Sequence, residues 1–252
     1  MKKKKVVLFG SIGVARKCLE EIILDRDIEF LGACCIPLEN TWREEESVYE
    51  YCKKNKLPIL KLEDVKSLKP DVGFSIRFNQ IIKEDIIDSF TMGIFNTHGG
   101  ILPKYRGVYS NVNALINGEE EYGVTLHYVQ PGIDDGDIVA IKRVKIQDTD
   151  TGFSLYKTGE LLCYEIISEN IDFILAGSNS RISQNDLIID GYETNTYTYK
   201  STSIQKEIDF SELNRKKSVR IIRAFDSPYH EPAYTYIDGN KIYLRSSWRN
   251  EE

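Results

Sequence analysis

Short apolar runs alternate with helix-spaced apolar residues through the first hundred positions. Val6–Phe9 is continuous and apolar, as a buried strand is, and ends at Gly10. From Val14 to Leu24 the apolar positions, among them Cys18, Leu19, Ile22 and Ile23, recur at helical spacing. Ile28–Ile36 reads as a second strand, and a break follows at Pro37 and Asn40. The pattern then predicts a short helix over Ser47–Asn55, an extended piece at Leu57–Leu60, a strand at Val72–Ile76 and a helix over Ile82–Ser89. A strand at Gly93–Phe95 delivers Asn96. Strands alternating with helices predict an α/β fold, a Rossmann-like and mostly parallel sheet with helices on both faces. Ligands of such sheets bind beyond the carboxyl ends of the strands, the edge where Asn96, His98 and the segment after Ile76 fall.

The texture changes near Gly123. GVTLHYV and DIVAIKRVKI alternate in strand fashion, and the stretch from Gly152 to Gly177 has helical periodicity. Polar residues and YETNTYTYK suit loop and extended chain. Ala233–Ile237 and Lys241–Arg245 flank Asp238-Gly239-Asn240, a hairpin signal. A boundary near Tyr199 divides a large domain, 1–199, from a small C-terminal β-hairpin extension, 200–252.

Composition narrows the class. Of 252 residues, 41% are hydrophobic and 29% charged, which suits a globular chain. The net charge of −6 offers no general basic face, so nucleic acid is not the expected partner. The apolar stretch after the N-terminal lysines is too short for a secretory signal, and no run approaches a membrane span. Five cysteines, an odd number without a CxxC pair, fit a reducing cytoplasm. No metal is expected, because neither His98 nor His127 has metal-ligand spacing to a cysteine. The first turn, FGSIGVARK, has Gly10 and Gly13 but not the full GxGxxG spacing, and Cys34-Cys35 stand where an acidic residue would meet a ribose. A nicotinamide cofactor is therefore disfavoured.

Three polar groups have a joint chemical logic. Asn96 and His98 leave a strand, and Asp134 lies in the turn PGIDDGD. Singly, each is an ordinary turn residue. Together they suit an amine attacking a carbonyl: an amide N–H and an imidazole stabilise the oxyanion, and a carboxylate orients the imidazole and helps take the proton. No serine or cysteine nucleophile stands beside the histidine, so direct transfer is simpler than a covalent enzyme intermediate.

The chain resembles the formyltransferases that use 10-formyltetrahydrofolate. The resemblance is carried by Asn96-Thr97-His98, Leu102-Pro103-Lys104-Tyr105-Arg106-Gly107, Asn117-Gly118-Glu119, Gly123-Val124-Thr125 and Ile133-Asp134-Asp135-Gly136, in the family's order and spacing. It spans Val6 to Gly177 and is densest from Asn96 to Asp137. It implies that Asn96, His98 and Asp134 are the catalytic trio. It also implies 10-formyltetrahydrofolate as co-substrate, gripped by Phe78, Asn79, Gln80 and Ile81, with Gly132 and Ile133 closing the pocket. Residues 78–81 are otherwise an ordinary strand-to-helix connection. Many relatives have Pro-Ser where Gly99-Gly100 stand here, which loosens the loop or leaves room for a different acceptor.

Among the family's branches, the chain looks closest to sugar N-formyltransferases, and more finely to those acting on dTDP-4-amino-4,6-dideoxyglucose in the synthesis of cell-surface polysaccharide such as lipopolysaccharide O-antigen. Residues 201–252 hold nine Lys/Arg against eight Asp/Glu, which is poor electrostatics for transfer RNA. Arg77, Lys104 and Arg106 are candidates for the diphosphate, Tyr105 for the sugar methyl and Tyr229 for the base. A homodimer is expected. Glycinamide ribonucleotide and initiator methionyl-tRNA remain alternative acceptors, and a non-catalytic nucleotide-sugar-binding protein a third reading. A folate-dependent dehydrogenase or a hydrolase of formyltetrahydrofolate is a fourth.

Overall fold

The computed structural model describes residues 3–24, 26–38, 45–210 and 215–246. Asn40 of the expected break lies outside them. Six strands form the central sheet: β1 (Lys4–Phe9), β2 (Ile28–Cys34), β3 (Val72–Ile76), β4 (Gly93–His98), β6 (Glu121–Tyr128) and β7 (Ile138–Lys145). Their order is β2-β1-β3-β4-β6-β7. The first four are parallel, whereas β6 pairs antiparallel with both β4 and β7. The mostly parallel α/β sheet read from the sequence is present, with β6 as the one reversed strand.

Side-chain alternation assigns the two faces. Val6, Leu8, Phe74, Ile76 and Phe95 pack with α1 (Gly13–Ile23) and α5 (Gly152–Ala176). Val7, Phe9 and Ile94 point the other way, toward Ile86 of α3 (Glu84–Ile87), Phe90 and Val65 of a 3-10 turn. Every residue of β3 is buried, as a central parallel strand requires. Helix α5 starts at Thr151, whose side chain accepts from Ser154 N–H in a capping box, and stops at Gly177 in the left-handed region.

A second cluster joins α4 (Ser110–Asn117) to the C-terminal residues. Val112, Leu115, Tyr105 and Tyr122 pack with Ile208, Phe225, Ala233 and Ile221 of α8 (Arg215–Ala224). A two-residue strand β5 (Arg106–Gly107) pairs in parallel with β8 (Thr196–Tyr197). Helices α2 (Val48–Lys54), α6 (Gln184–Ile189) and α7 (Tyr199–Ser203) complete the set, with the hairpin β9 (Ala233–Ile237) and β10 (Asn240–Leu244). Asp238 and Gly239 both have positive φ, at 48° and 75°, which fits a two-residue type I′ turn.

Some element bounds differ from the pattern. The helix expected over 82–89 is one turn, Glu84–Ile87, because the chain turns to bury Phe90 against Phe9, ring centroids 6.0 Å apart. Strand β2 ends at Cys34 because Ile36 N–H leaves the ladder to reach Ser11 Oγ, 3.0 Å away. The polar stretch after Gly177, expected as loop and extended chain, contains the helix α6. Strand β4 runs on to His98, since β6 supplies antiparallel pairing through His98↔Thr125.

Phe95 is fully buried on the α1/α5 face, with Tyr128 and Phe74 at centroid distances of 4.6 and 6.2 Å. Phe95→Ala should cost about 3–5 kcal/mol. Urea unfolding monitored by circular dichroism would read this as a lower midpoint at unchanged slope.

Candidate active site

Strand register builds the first row of the site. Ser75 of β3 lies opposite Asn96 of β4, which lies opposite His127 of β6. Ser75 Oγ donates to Asn96 Oδ1 at 2.8 Å. That leaves Asn96 Nδ2 to donate to His127 Nε2 at 3.0 Å, while His127 Nδ1–H donates to the Tyr128 carbonyl at 2.8 Å. The ring is thus held by its second nitrogen, and only one of the two Asn96 amide hydrogens is used.

Two residues further along β4, on the same side as Asn96, stands His98. It is buried, with Nε2 2.5 Å from the Tyr105 carbonyl and Nδ1 3.3 Å from Asp134 Oδ2. Both nitrogens face acceptors, so only the imidazolium satisfies both. Burial pushes the imidazole below its ordinary value, His127 and Arg77 add to that push, and Asp134 opposes it.

Asp134 belongs to the turn between β6 and β7 and has φ 48°. Its Oδ2 accepts from Gly107 N–H at 2.9 Å, and its Oδ1 lies 3.6 Å from His127 Nε2. Burial opposes its charge, but His127, His98 and the Gly107 N–H prevail and hold the carboxyl down to about 2. Near neutral pH the cluster is therefore an ionised carboxylate against a neutral imidazole and a half-used amide.

The loop between β4 and α4 closes over this row. Its Gly99 carbonyl accepts from Tyr122 Oη at 3.2 Å and from Ser110 Oγ. A Cβ on Gly100 would stand 2.8 Å from both His98 Nε2 and the Tyr105 carbonyl, so the second glycine leaves room for that contact. The Gly-Gly pair is packed here rather than loose. Gly107, at φ 86°, lies so close to the Tyr197 carbonyl that no side chain fits.

The structure brings Asn96, His98 and Asp134 together. The other expected residues lie variously. Phe78 is half-buried against Phe9, centroids 5.6 Å apart, while Asn79, Gln80 and Ile81 are exposed at the sheet edge, Ile81 at 87%. Gly132 is exposed, as is Ile133 at 63%, beside Asp134. The Arg77 guanidinium sits 4.8 Å from the centre of the Tyr156 ring. Lys104 is paired with Glu119 at 2.8 Å and Glu193 at 3.1 Å. Arg106 donates to Gln184 Oε1. The Tyr105 ring, 3% exposed, stacks on Tyr197 and its hydroxyl donates to Glu119, so its carbonyl rather than its ring meets the site. Tyr229 packs edge-on to Phe153 and borders a surface concavity of about 480 Å³ with His230, Glu231, Tyr243 and Arg245. None of the trio lines that concavity. Among the described residues no group of three His, Cys, Asp or Glu could hold a metal, and no helix is long and apolar enough to cross a membrane.

Residues 46–171, half of the chain and all of the trio, match the model of the formyl transferase family. The chain belongs to that family. This formyltransferase is 32% identical over 213 residues to the bifunctional polymyxin resistance protein ArnA of Wigglesworthia glossinidia brevipalpis, covering 80% of the chain and 31% of ArnA. It is 30% identical over 240 residues to the methionyl-tRNA formyltransferase of Clostridioides difficile, covering 89% of the chain and 75% of that protein. The N-formyltransferase of Helicobacter canadensis, solved with folinic acid and dTDP-3-aminofucose, superposes with a TM-score of 0.77 at 25% identity, over 96% of this chain and 87% of that one.

Sequence reasoning missed His127, which carried a weak signal: its place within an alternating strand. Ser75 and the Gly107 N–H gave none, because both act through pairing partners distant in sequence.

The carboxyl of Asp134 should also be visible in folding. Its value is depressed from 3.8 to about 2, so its contribution is present above pH 4 and lost as pH falls through 2. Urea titrations at pH 5 and pH 2 should show the parent losing about 2 kcal/mol more than Asp134→Asn. Asparagine tolerates the positive φ, so the variant should fold.

Proposed function

We propose that this formyltransferase moves the formyl group of 10-formyltetrahydrofolate onto the amine of a nucleotide-linked amino sugar. One observation carries the reading: an ionised carboxylate, a neutral buried imidazole and an amide with a spare hydrogen converge at the carboxyl edge of the sheet without a nucleophile among them. The sugar nucleotide is supported by the Helicobacter canadensis enzyme, whose bound dTDP-3-aminofucose is the acceptor class proposed here. Exposed Ile81 and Ile133 offer apolar surface at the same edge for the flat folate. Residues 78–81 and 132–133 are the proposed folate contacts. Arg77 and Tyr229 are the sugar-nucleotide contacts proposed here; Lys104 and Arg106 are paired within the chain and the Tyr105 ring is covered.

The chemistry follows from the three groups. The amine attacks the formyl carbon as a free base, forming a C–N bond and an oxyanion. The unused Asn96 hydrogen donates to that oxygen. The amine sheds one proton as the bond to folate N10 breaks, and N10 gains one. Asp134 is too weak a base to keep that proton. His98 is the better carrier, because protonation fills its contacts with the Tyr105 carbonyl and Asp134 together. The carboxylate then stabilises the imidazolium.

A second reading is transfer to methionyl-tRNA, favoured by the Clostridioides difficile relative. The purified chain, given 10-formyltetrahydrofolate and either a panel of dTDP-amino sugars with amines at C3 or C4 or charged initiator tRNA, separates the two. Formylated sugar detected by mass spectrometry is the expected result. Formyl-methionyl-tRNA alone would replace it with the second reading.

Within the active pair, His98→Asn and Asp134→Asn should each lower kcat about a hundredfold or more while the fold persists. A parental single-turnover rate in either variant would remove the trio from catalysis. The single-turnover rate should rise from acidic to neutral pH, as His98 and the amine lose protons; a flat profile with chemistry limiting contradicts the assignment.

Tyr229→Ala should weaken dTDP-sugar binding roughly tenfold and leave folate affinity unchanged, as calorimetry can read for each ligand. Unchanged sugar affinity would leave the tyrosine as a packing residue of the tail.

A further inference from the structure

Gln184, the first residue of α6, lies about fifty positions after Asp134 and is fully buried. Its amide uses all of its hydrogen-bonding capacity. Nε2 donates to the Asp134 carbonyl at 2.9 Å and to the Gly136 carbonyl at 2.7 Å. Oε1 accepts from Arg106 Nε at 3.1 Å and from Arg106 Nη2 at 2.8 Å. The guanidinium admits only the oxygen on its side, so the amide cannot turn over. Gln184 itself is fixed from behind. Ile182 and Ile138 exchange both backbone hydrogen bonds at 2.8 Å, stitching this segment to the start of β7.

Asp134 needs such a hold. It has φ 48°, a region that costs a non-glycine residue free energy unless its surroundings enforce it. Its carboxylate reaches back to Gly107, the neighbour of Arg106. The loop carrying Tyr105, Arg106 and Gly107 and the turn carrying Asp134 are thus joined twice, by the carboxylate and by the Gln184 amide. The amide bonds to the main chain of Asp134 and leaves its side chain to His98 and His127.

We infer that Gln184 is a positioning residue of the formyl-transfer site, fixing the backbone of the Asp134 turn so that the carboxylate stays within reach of His98. It touches neither substrate and acts only through Asp134. The inference rests on the function proposed above for what it says of rate, but its geometry does not.

Two variants separate positioning from mere packing. Gln184→Met keeps the length of the side chain and none of the polar contacts. Gln184→Glu keeps an acceptor for Arg106 and loses both donations to the turn. Both should lower kcat by about tenfold to a hundredfold, because a small displacement of a catalytic group has that scale of effect, with KM for both substrates held within about threefold. If Gln184 only braces Arg106, Gln184→Glu restores the parental kcat, and the inference fails.

A second readout needs no substrate. The charged and titratable groups facing His98 are Asp134, His127 and Arg77. Of these three groups only Asp134 pulls its titration upward, alongside the Tyr105 carbonyl, so releasing the turn should move the His98 midpoint downward in 15N-histidine spectra of Gln184→Met. An unmoved midpoint overturns the inference. Should Gln184→Met not fold at the assay temperature, Gln184→Glu carries the kinetic test. Should the parent chain formylate no acceptor, the proposed function fails while the His98 midpoint still decides the role of Gln184.

Discussion

The half-buried carboxylate of Asp134 is the constraint on which the geometry of the site depends. Removing a charge from water costs several kcal/mol unless partners replace the solvent. Asp134 is met by three separate pieces of chain: it faces His98 at the end of β4, accepts from the Gly107 N–H in the loop before α4, and lies 3.6 Å from His127 on β6. Each piece must arrive in register for the charge to be tolerated. The reversed strand is what makes this possible. Because β6 runs antiparallel to β4, His127 falls opposite Asn96, and the turn that leaves β6 returns Asp134 to the same edge.

The two cores serve that edge differently. The sheet core, built on α1 and α5, fixes Asn96 and His98 through strand register. The second core, where α4 meets α8 and the residues after 200, holds the Tyr105 ring. Tyr105 and Gly107 are two residues apart, and both offer main-chain atoms to the site. The C-terminal residues therefore contribute to the geometry of a site whose trio lies entirely before residue 135.

Much of this was legible in the chain itself. Short, mainly apolar runs marked β1, β3 and the start of β4, since strands covered on both faces need no strict alternation, and the Asn96, His98 and Asp134 trio followed from chemistry and from the family pattern. What was not legible depends on pairing at a distance. His127 looked like an ordinary strand residue until its register with Asn96 was known. Gln184 sat in a polar stretch that reads as loop, because its partners are backbone carbonyls about fifty positions upstream. Tyr105 was expected to offer its ring, but stacking on Tyr197 claimed that face, which composition could not reveal. Lys104 and Arg106 read as free cations for a diphosphate, and their partners Glu119, Glu193 and Gln184 became apparent only in three dimensions.

His98 meets a carbonyl, Asp134 meets an amide N–H, and His127 meets a second carbonyl, and all three of these partners belong to the main chain. No replacement deletes the two carbonyls, and only proline would delete the Gly107 N–H. An alanine scan across the site would thus report the trio and its side-chain neighbours while remaining blind to half of the polar surroundings. That half is written in the path of the backbone, in the closeness of Gly107 to Tyr197 and of Gly100 to His98, and it would change only when the path does.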